Sequence, residues 1–577
     1  MEIGGGAFCA TGLVGTLVIS AKLTTIGPSA FDSTKLTGLD LSKATSLAQI
    51  GDRAFYDSPL ESTLEIPSDV TTIGTSAFWN TKLTSLDLSK ATALESIGDR
   101  AFLDTGLQGT LVMSSRVTTI GFHAFGKTGL TGLDLSGATA LVEIGVRAFS
   151  DANLEGTLVI PPTVATIENA AFQYTMLTGL DLSNATSLVE IADGAFRGVG
   201  LAGTLVIPAK LTTIDPSAFE GTKLRDLDLS KATSLVYIGE GAFYRTGLEG
   251  TLVISATVTK VGPYAFGKTR LMGLDLSKAT SLVEIGEWAF FGTDLKNTLV
   301  IPPKLKTIGR SAFQNTNVTG FDLSKATALV EIGGWAFFNS GLQGTLVVPD
   351  TVAMIGPSAF QNTKFTGLDL STATSLVEIG EWAFFGTDLG GTLVIPTKLT
   401  TIGPYAFEST KLTCLDLSMA TSLLEIGKRV FFATGLEGTL VIPAKLTTIG
   451  PSAFENTKLT SLDLSKATSL VEIGALAFSA TGLEGTLSIP AKLTKISTYA
   501  FDSTKLTDLD LSNATSLEEI GNGAFYETGL QGMLVIPPTV ATIGNAAFQY
   551  TKLTGIDLSN ATSLVEIGDS VFRGTGS

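Results

Sequence analysis

Leu23-Thr24-Thr25-Ile26-Gly27-Pro28-Ser29-Ala30-Phe31, followed by Thr34-Lys35-Leu36-Thr37-Gly38-Leu39-Asp40-Leu41-Ser42, is the stretch whose reading decides the fold. A second half-unit alternates with it: Leu141-Val142-Glu143-Ile144-Gly145-Val146-Arg147-Ala148-Phe149, then Leu154-Glu155-Gly156-Thr157-Leu158-Val159-Ile160-Pro161. The phenylalanine marks every half-unit. Phe8, Phe31, Phe55, Phe78, Phe102 and Phe125 open a column of 25 that ends at Phe548 and Phe572. Its gaps alternate between 23 and 24 residues without exception, so the true period is 47. Fixed self-similarity along a whole chain is the signature of a solenoid repeat, in which each coil contacts only its neighbours. The expectation is one continuous solenoid over residues 1–577, in 25 coils. No insertion interrupts the array, and insertions are where repeat proteins build pockets and lids, so the spacing argues against an enzyme.

Within a coil, Leu39-Asp40-Leu41 and Leu158-Val159-Ile160 alternate with the strand period of two. Stacked in register, these short strands would form one parallel sheet at about 4.8 Å per strand. Asp40 and Val159 would face outward on a concave side. The Ile-Gly-x-x-Ala-Phe segment is too short for a stable helix; a tight turn or a single helical turn on the convex side is predicted. Ile26 and Phe31 would plug the core, Ala30 would be small because the next coil stacks on it, and Gly27 would supply unusual backbone angles.

The Leu-x-x-Leu-x-Leu pattern of Leu36 to Leu41 resembles leucine-rich repeats. The Ile-Gly-x-x-Ala-Phe segment with Ile-Pro is similar to the BspA-like subclass, a group of surface and adhesion-type repeat proteins. The resemblance covers the whole chain and departs from the subclass at one position. Three residues after the Phe, where that subclass usually has Cys, this chain has 21 Thr, 2 Ser, Ala152 and Val199. The resemblance implies a non-enzymatic binding or adhesion role at the cell surface or outside the cell, and carries over no catalytic residue. The alternatives are a structural spacer or scaffold, whether a wall component or an intracellular protein-interaction scaffold, and an ice-binding array.

Composition narrows the partners. The net charge is −16, which disfavours nucleic acid and anionic membrane surfaces, since both recruit basic patches. No apolar run approaches the roughly 18 residues of a membrane span, so no membrane insertion is expected in this segment. The partner would be a protein or glycan surface. One histidine, His123, and two far-separated cysteines, Cys9 and Cys414, leave no set for zinc or for Ser-His-Asp chemistry. No cofactor and no metal are expected. Both termini fall inside a coil without a cap, and no signal peptide precedes Met1; the expectation is a fragment of a longer protein. Asn184, Asn317, Asn513 and Asn560 open N-x-Ser/Thr sequons, which chance also produces.

Three columns carry candidate binding residues. The Thr column could face an ice lattice, or could satisfy backbone groups inside a turn; its place beside the core Phe favours the turn. An aspartate recurs once per 47 residues, and Asp228, Asp275, Asp322, Asp369 and Asp416 are its central members. Twelve equal carboxylates do not make a catalytic pair or a calcium cage. They would form a solvated acidic stripe, or a surface that recognises a basic or glycan partner. Trp288, Trp335 and Trp382 each lie one repeat apart, with Phe291, Phe338 and Phe385 three residues on. Elsewhere the Trp position holds Arg53, Arg100 or Gly194, so it is read as a surface position. The row would be an exposed apolar interface, or the by-product of a duplicated repeat, since residues 282–295 and 376–389 share one sequence from Leu-Val-Glu to Thr-Asp-Leu.

Overall fold

The structure is a computed structural model and describes residues 1–576. The chain divides into two compact units, Met1–Leu295 and a second beginning at Lys296. Each is a parallel β-solenoid, and no helix occurs among the described residues.

A ladder of two-residue strands runs through each unit. In the first it passes from Glu2–Ile3 through Thr25–Ile26 and Gln49–Ile50 to Glu284–Ile285; in the second, from Thr307–Ile308 to Glu566–Ile567. Each strand pairs in parallel with the next, as Thr25 with Gln49 and Ile26 with Ile50. The isoleucine turns inward and is fully buried in Ile26, Ile50, Ile332 and Ile402 alike. Packed beside it is a stack of phenylalanine rings. Phe31 and Phe55 lie 5.3 Å apart at 5°, and Phe243 and Phe266 5.4 Å apart at 3°. The Ile and Phe columns and the fully buried Ala30 position therefore form the core as the sequence implies.

The longer strands depart from expectation. They do not stack into one sheet. Val14–Val18 pairs only with Lys35–Asp40, Glu437–Val441 only with Lys458–Asp463, and so on in twos. The reason lies in the spacing of the strand leucines. Leu17 to Leu39 is 22 residues but Leu39 to Leu64 is 25, although the Phe column is nearly even. The mismatch appears as a bulge: Gly15 faces Leu36, Thr16 faces Gly38, and Thr37 between them has no opposite residue. The bulge bends the pair, and pairing continues on both sides of it; the longer 25-residue step falls between pairs, where no ladder forms, so each pair stands apart from the next.

The Ile-Gly-x-x-Ala-Phe segment is a pair of tight turns, not a helical turn. The N–H of Ala30 donates to Gly27 and that of Asp32 to Ser29, while the intervening Ser29, Phe31 and Ser33 donate to Asp52, Ala54 and Tyr56 of the next coil. This alternation requires left-handed backbone two residues before and two after each Phe: Ser29 has φ 53° and Ser33 55°. Gly27 plays a different part from the one expected. Its φ is not positive; a Cβ there would lie 2.6 Å from the carbonyl oxygen of Ile3, so glycine is needed for the close approach of the preceding coil.

Candidate functional site

The Thr column is internal. The Oγ1 of Thr34, Thr105, Thr316 and Thr457 donates to the carbonyl of the Phe three residues earlier at 2.8 to 3.0 Å, and all four side chains are buried. A hydroxyl spent on its own turn and shielded from solvent cannot meet an ice surface. The ice-binding use of this column is thereby removed.

The aspartates end the longer strands of the 24-residue coils. In each, Oδ1 accepts the N–H of the serine two residues on: Ser230 for Asp228, Ser277 for Asp275 and Ser324 for Asp322, each at 2.8 Å. Asp369 accepts from Ser371 at 2.9 Å and Asp416 from Ser418 at 2.8 Å. This is an Asx turn, the motif by which a short acidic side chain caps its own backbone. The serine hydroxyl, then its N–H, hold the carboxyls of Asp228, Asp275, Asp322 and Asp369 below the usual carboxylate range; at Asp416 the N–H is the larger cause. The column is thus a row of fixed, ionised carboxylates with a structural duty, at half-buried positions.

The tryptophans are half-buried and belong to packed aromatic and cationic clusters. In the first unit Trp288 stacks face to face on Tyr264 at 5.8 Å and meets Phe291 edge-on at 4.8 Å, and Lys268 Nζ lies 4.4 Å from the Phe291 centroid. In the second unit Trp335 lies under the Arg310 guanidinium at 4.4 Å. Trp382 stacks on Tyr405 at 4.4 Å, meets Phe385 at 4.9 Å, and its Nε1 donates to Glu381 Oε1 at 2.6 Å. Phe338 is half-buried, its N–H donating to the carbonyl of Trp335. All three tryptophans hold the left-handed φ of their column, 58°, 55° and 60°. Their rings project along the outside of the turn and pack on the neighbouring coil. Tyr405 and Arg310 are the partners that sequence reading missed, because each lies one coil away at a position that varies freely.

The gaps between strand pairs form a further feature that the sequence did not announce. They are grooves, found at Asp226–Lys278 in the first unit and at Phe321–Thr374, Thr392–Thr468 and Leu462–Asn513 in the second, with volumes of about 810, 870, 890 and 570 Å³. Each is bordered by the Asp of one pair, the Thr-x-Val or Thr-x-Ser of the next, and the small residues that follow. No group of three or more His, Cys, Asp or Glu with metal-holding geometry occurs among the described residues. Cys9 and Cys414 are both exposed thiols. No helix is long and apolar enough to cross a membrane among the described residues.

The family model for the BspA type leucine rich repeat region (6 copies) matches the chain over residues 1–131, 118–249, 236–367, 354–484 and 447–577. The chain belongs to this leucine-rich repeat family. No curated protein matches. Among solved structures, a leucine-rich repeat protein from Bacteroides ovatus is similar at 18% identity over 72% of this chain and 84% of that one, with a TM-score of 0.33. YopM from Yersinia enterocolitica is similar at 13% identity over 95% and 86%, with a TM-score of 0.35. The pneumococcal vaccine antigen PcpA is similar at 16% identity over 64% and 92%, with a TM-score of 0.32.

Proposed function

We propose that the chain is the non-enzymatic binding module of a cell-surface or secreted protein, and that it holds a protein or glycan partner through its extended repeat surface. The observation that carries this reading is the recurrence of one groove with one fixed carboxylate at multiples of 47 residues, from Asp228 to Asp322, Asp416 and Asp463. Repetition at fixed spacing sums weak contacts along a repetitive partner. The half-buried aromatic clusters at Trp288, Trp335 and Trp382, with Phe291, Phe338 and Phe385, would supply the apolar contacts. Asp275 and Asp369 extend the carboxylate row between the grooves.

Brief protease treatment of intact source cells, followed by fractionation into cytosol, membrane and medium, tests the reading. It expects the chain in the medium or cleaved from the cell exterior. Recovery of an uncleaved, wholly cytosolic protein would leave an intracellular scaffold in its place.

A further inference from the structure

We propose that the groove from Phe321 to Thr374 is a glycan-binding site that takes a hexopyranose unit. The inference rests on the binding-module reading and names a ligand class for one of its sites.

This groove differs in chemistry from its three counterparts. The others each carry lysine: Lys278 in one, Lys445 and Lys466 in the second, Lys492 in the third. Here Thr351 and Thr372 occupy the sequence positions of Lys445 and Lys466, and no lysine lines the groove. Asp350 stands where the other grooves have Ala256, Ala444 and Ala491, so a second carboxylate joins Asp322 from the loop after the next strand; in the first-unit groove the second carboxylate, Asp226, lies on the strand itself. Phe321 replaces the leucine found at Leu227 and Leu415. Its ring packs on Phe337 at 4.6 Å and stays half-buried at the groove wall.

These groups suit a sugar. The exposed Asp350 makes no hydrogen bond or ion pair among the described residues, and neither do the hydroxyls of the exposed Thr345 and Thr374. A carboxylate accepts strongly from hydroxyls, and threonine both donates and accepts. A pyranose offers adjacent hydroxyls along its edge and an apolar C–H face that can lie on an aromatic ring. The volume, about 870 Å³, lies within the span of roughly 300–1,000 Å³ usual for ligand sites.

Calorimetric titration of the full chain with mannohexaose, cellohexaose and chitohexaose, with octalysine as control, tests the proposal. At least one oligosaccharide is expected to bind. Phe321→Leu, which restores the residue of neighbouring coils and so keeps the fold, should weaken that binding tenfold or more, as should Asp350→Asn. Glu240→Gln, an exposed position in a turn of the first unit that lines none of the grooves, should leave it unchanged. Absence of binding by all three sugars overturns the proposal; so does binding that neither variant weakens, or binding of octalysine alone. A chain that is exposed at the cell surface yet binds no sugar would lose this inference and keep the broader reading.

Discussion

The Oγ1 of Thr363 donates to the main-chain carbonyl of Phe360 at 2.8 Å, and both residues are buried. The bond, beside the Thr363 N–H that donates to the same carbonyl at 3.2 Å, closes the turn that follows the two tight turns, against the ring that plugs the core. Thr363→Val keeps the shape and removes the hydroxyl donor, leaving the carbonyl with the main-chain N–H of residue 363 alone. The loss should be about 1 kcal/mol, seen as a lower urea midpoint, and Thr363→Ser should recover most of it. An unchanged midpoint in the valine variant would mean that the hydroxyl merely rests beside the carbonyl. Val199 already occupies the equivalent position in its own coil, so the substitution should fold.

Phe360 stands 5.5 Å from both Phe337 and Phe384, with no measurable exposure. Phe360→Ala should open a cavity that coils built on strict spacing cannot collapse, at a cost of about 3–5 kcal/mol. In a repeat array the damage should be local, so hydrogen exchange is the suitable readout. Amides of residues 332–384 should lose protection while those of the first unit do not. A uniform loss throughout the chain would contradict nearest-neighbour stability.

How much of this was legible depends on which residue sets a feature. The Phe, Ile and Ala columns announce the repeat and the core because each coil repeats them. The pairing of the longer strands was also written in the chain, in the uneven Leu17–Leu39–Leu64 spacing, but the nearly even Phe gaps hide it. The left-handed columns left a subtler mark. Ser29, Arg53, Ser76, Trp288 and their equivalents, like Ser33, Asp57, Asn80 and theirs, never include Val, Ile or Thr. Branching at Cβ is what that backbone rejects most strongly. The aromatic clusters and the groove at Phe321 were not legible, because their partners come from adjoining coils at positions free to vary.

Ala433 gives a direct measure of that backbone constraint. It is exposed, has φ 53°, and its N–H donates to Glu455 in the next coil. Ala433→Gly should stabilise by about 0.5–1 kcal/mol, because relief of the left-handed penalty of roughly 1–2 kcal/mol exceeds the entropy that glycine adds to the unfolded chain. Ala433→Val should destabilise by about 1–2 kcal/mol. The order glycine, alanine, valine in thermal midpoint is the reverse of strand preference. A strand-like order would show that the turn is not held left-handed in solution.

The aspartate column sets the response to acid. Serine donors depress the folded-state pKa of Asp228, Asp275, Asp322, Asp369 and Asp416 below the unfolded value, and their equivalents from Asp40 to Asp557 follow suit. A depressed carboxylate contributes stability that is complete above the unfolded pKa of about 4 and is lost as pH falls through the lower folded value. Burial raises Glu190, Glu408 and Asp502, so these three act in the opposite sense, favouring the fold in acid. Twelve small contributions against three should leave the urea midpoint falling below about pH 4. Each is small because water screens the half-exposed carboxylates. Replacing Asp275, Asp322 and Asp369 together by Asn retains an oxygen for the serine N–H and removes the charge. That variant should fold and show a shallower acid limb, with its midpoint at neutral pH little changed. An acid limb as steep as the wild type's would show that these aspartates do not set the response to acid.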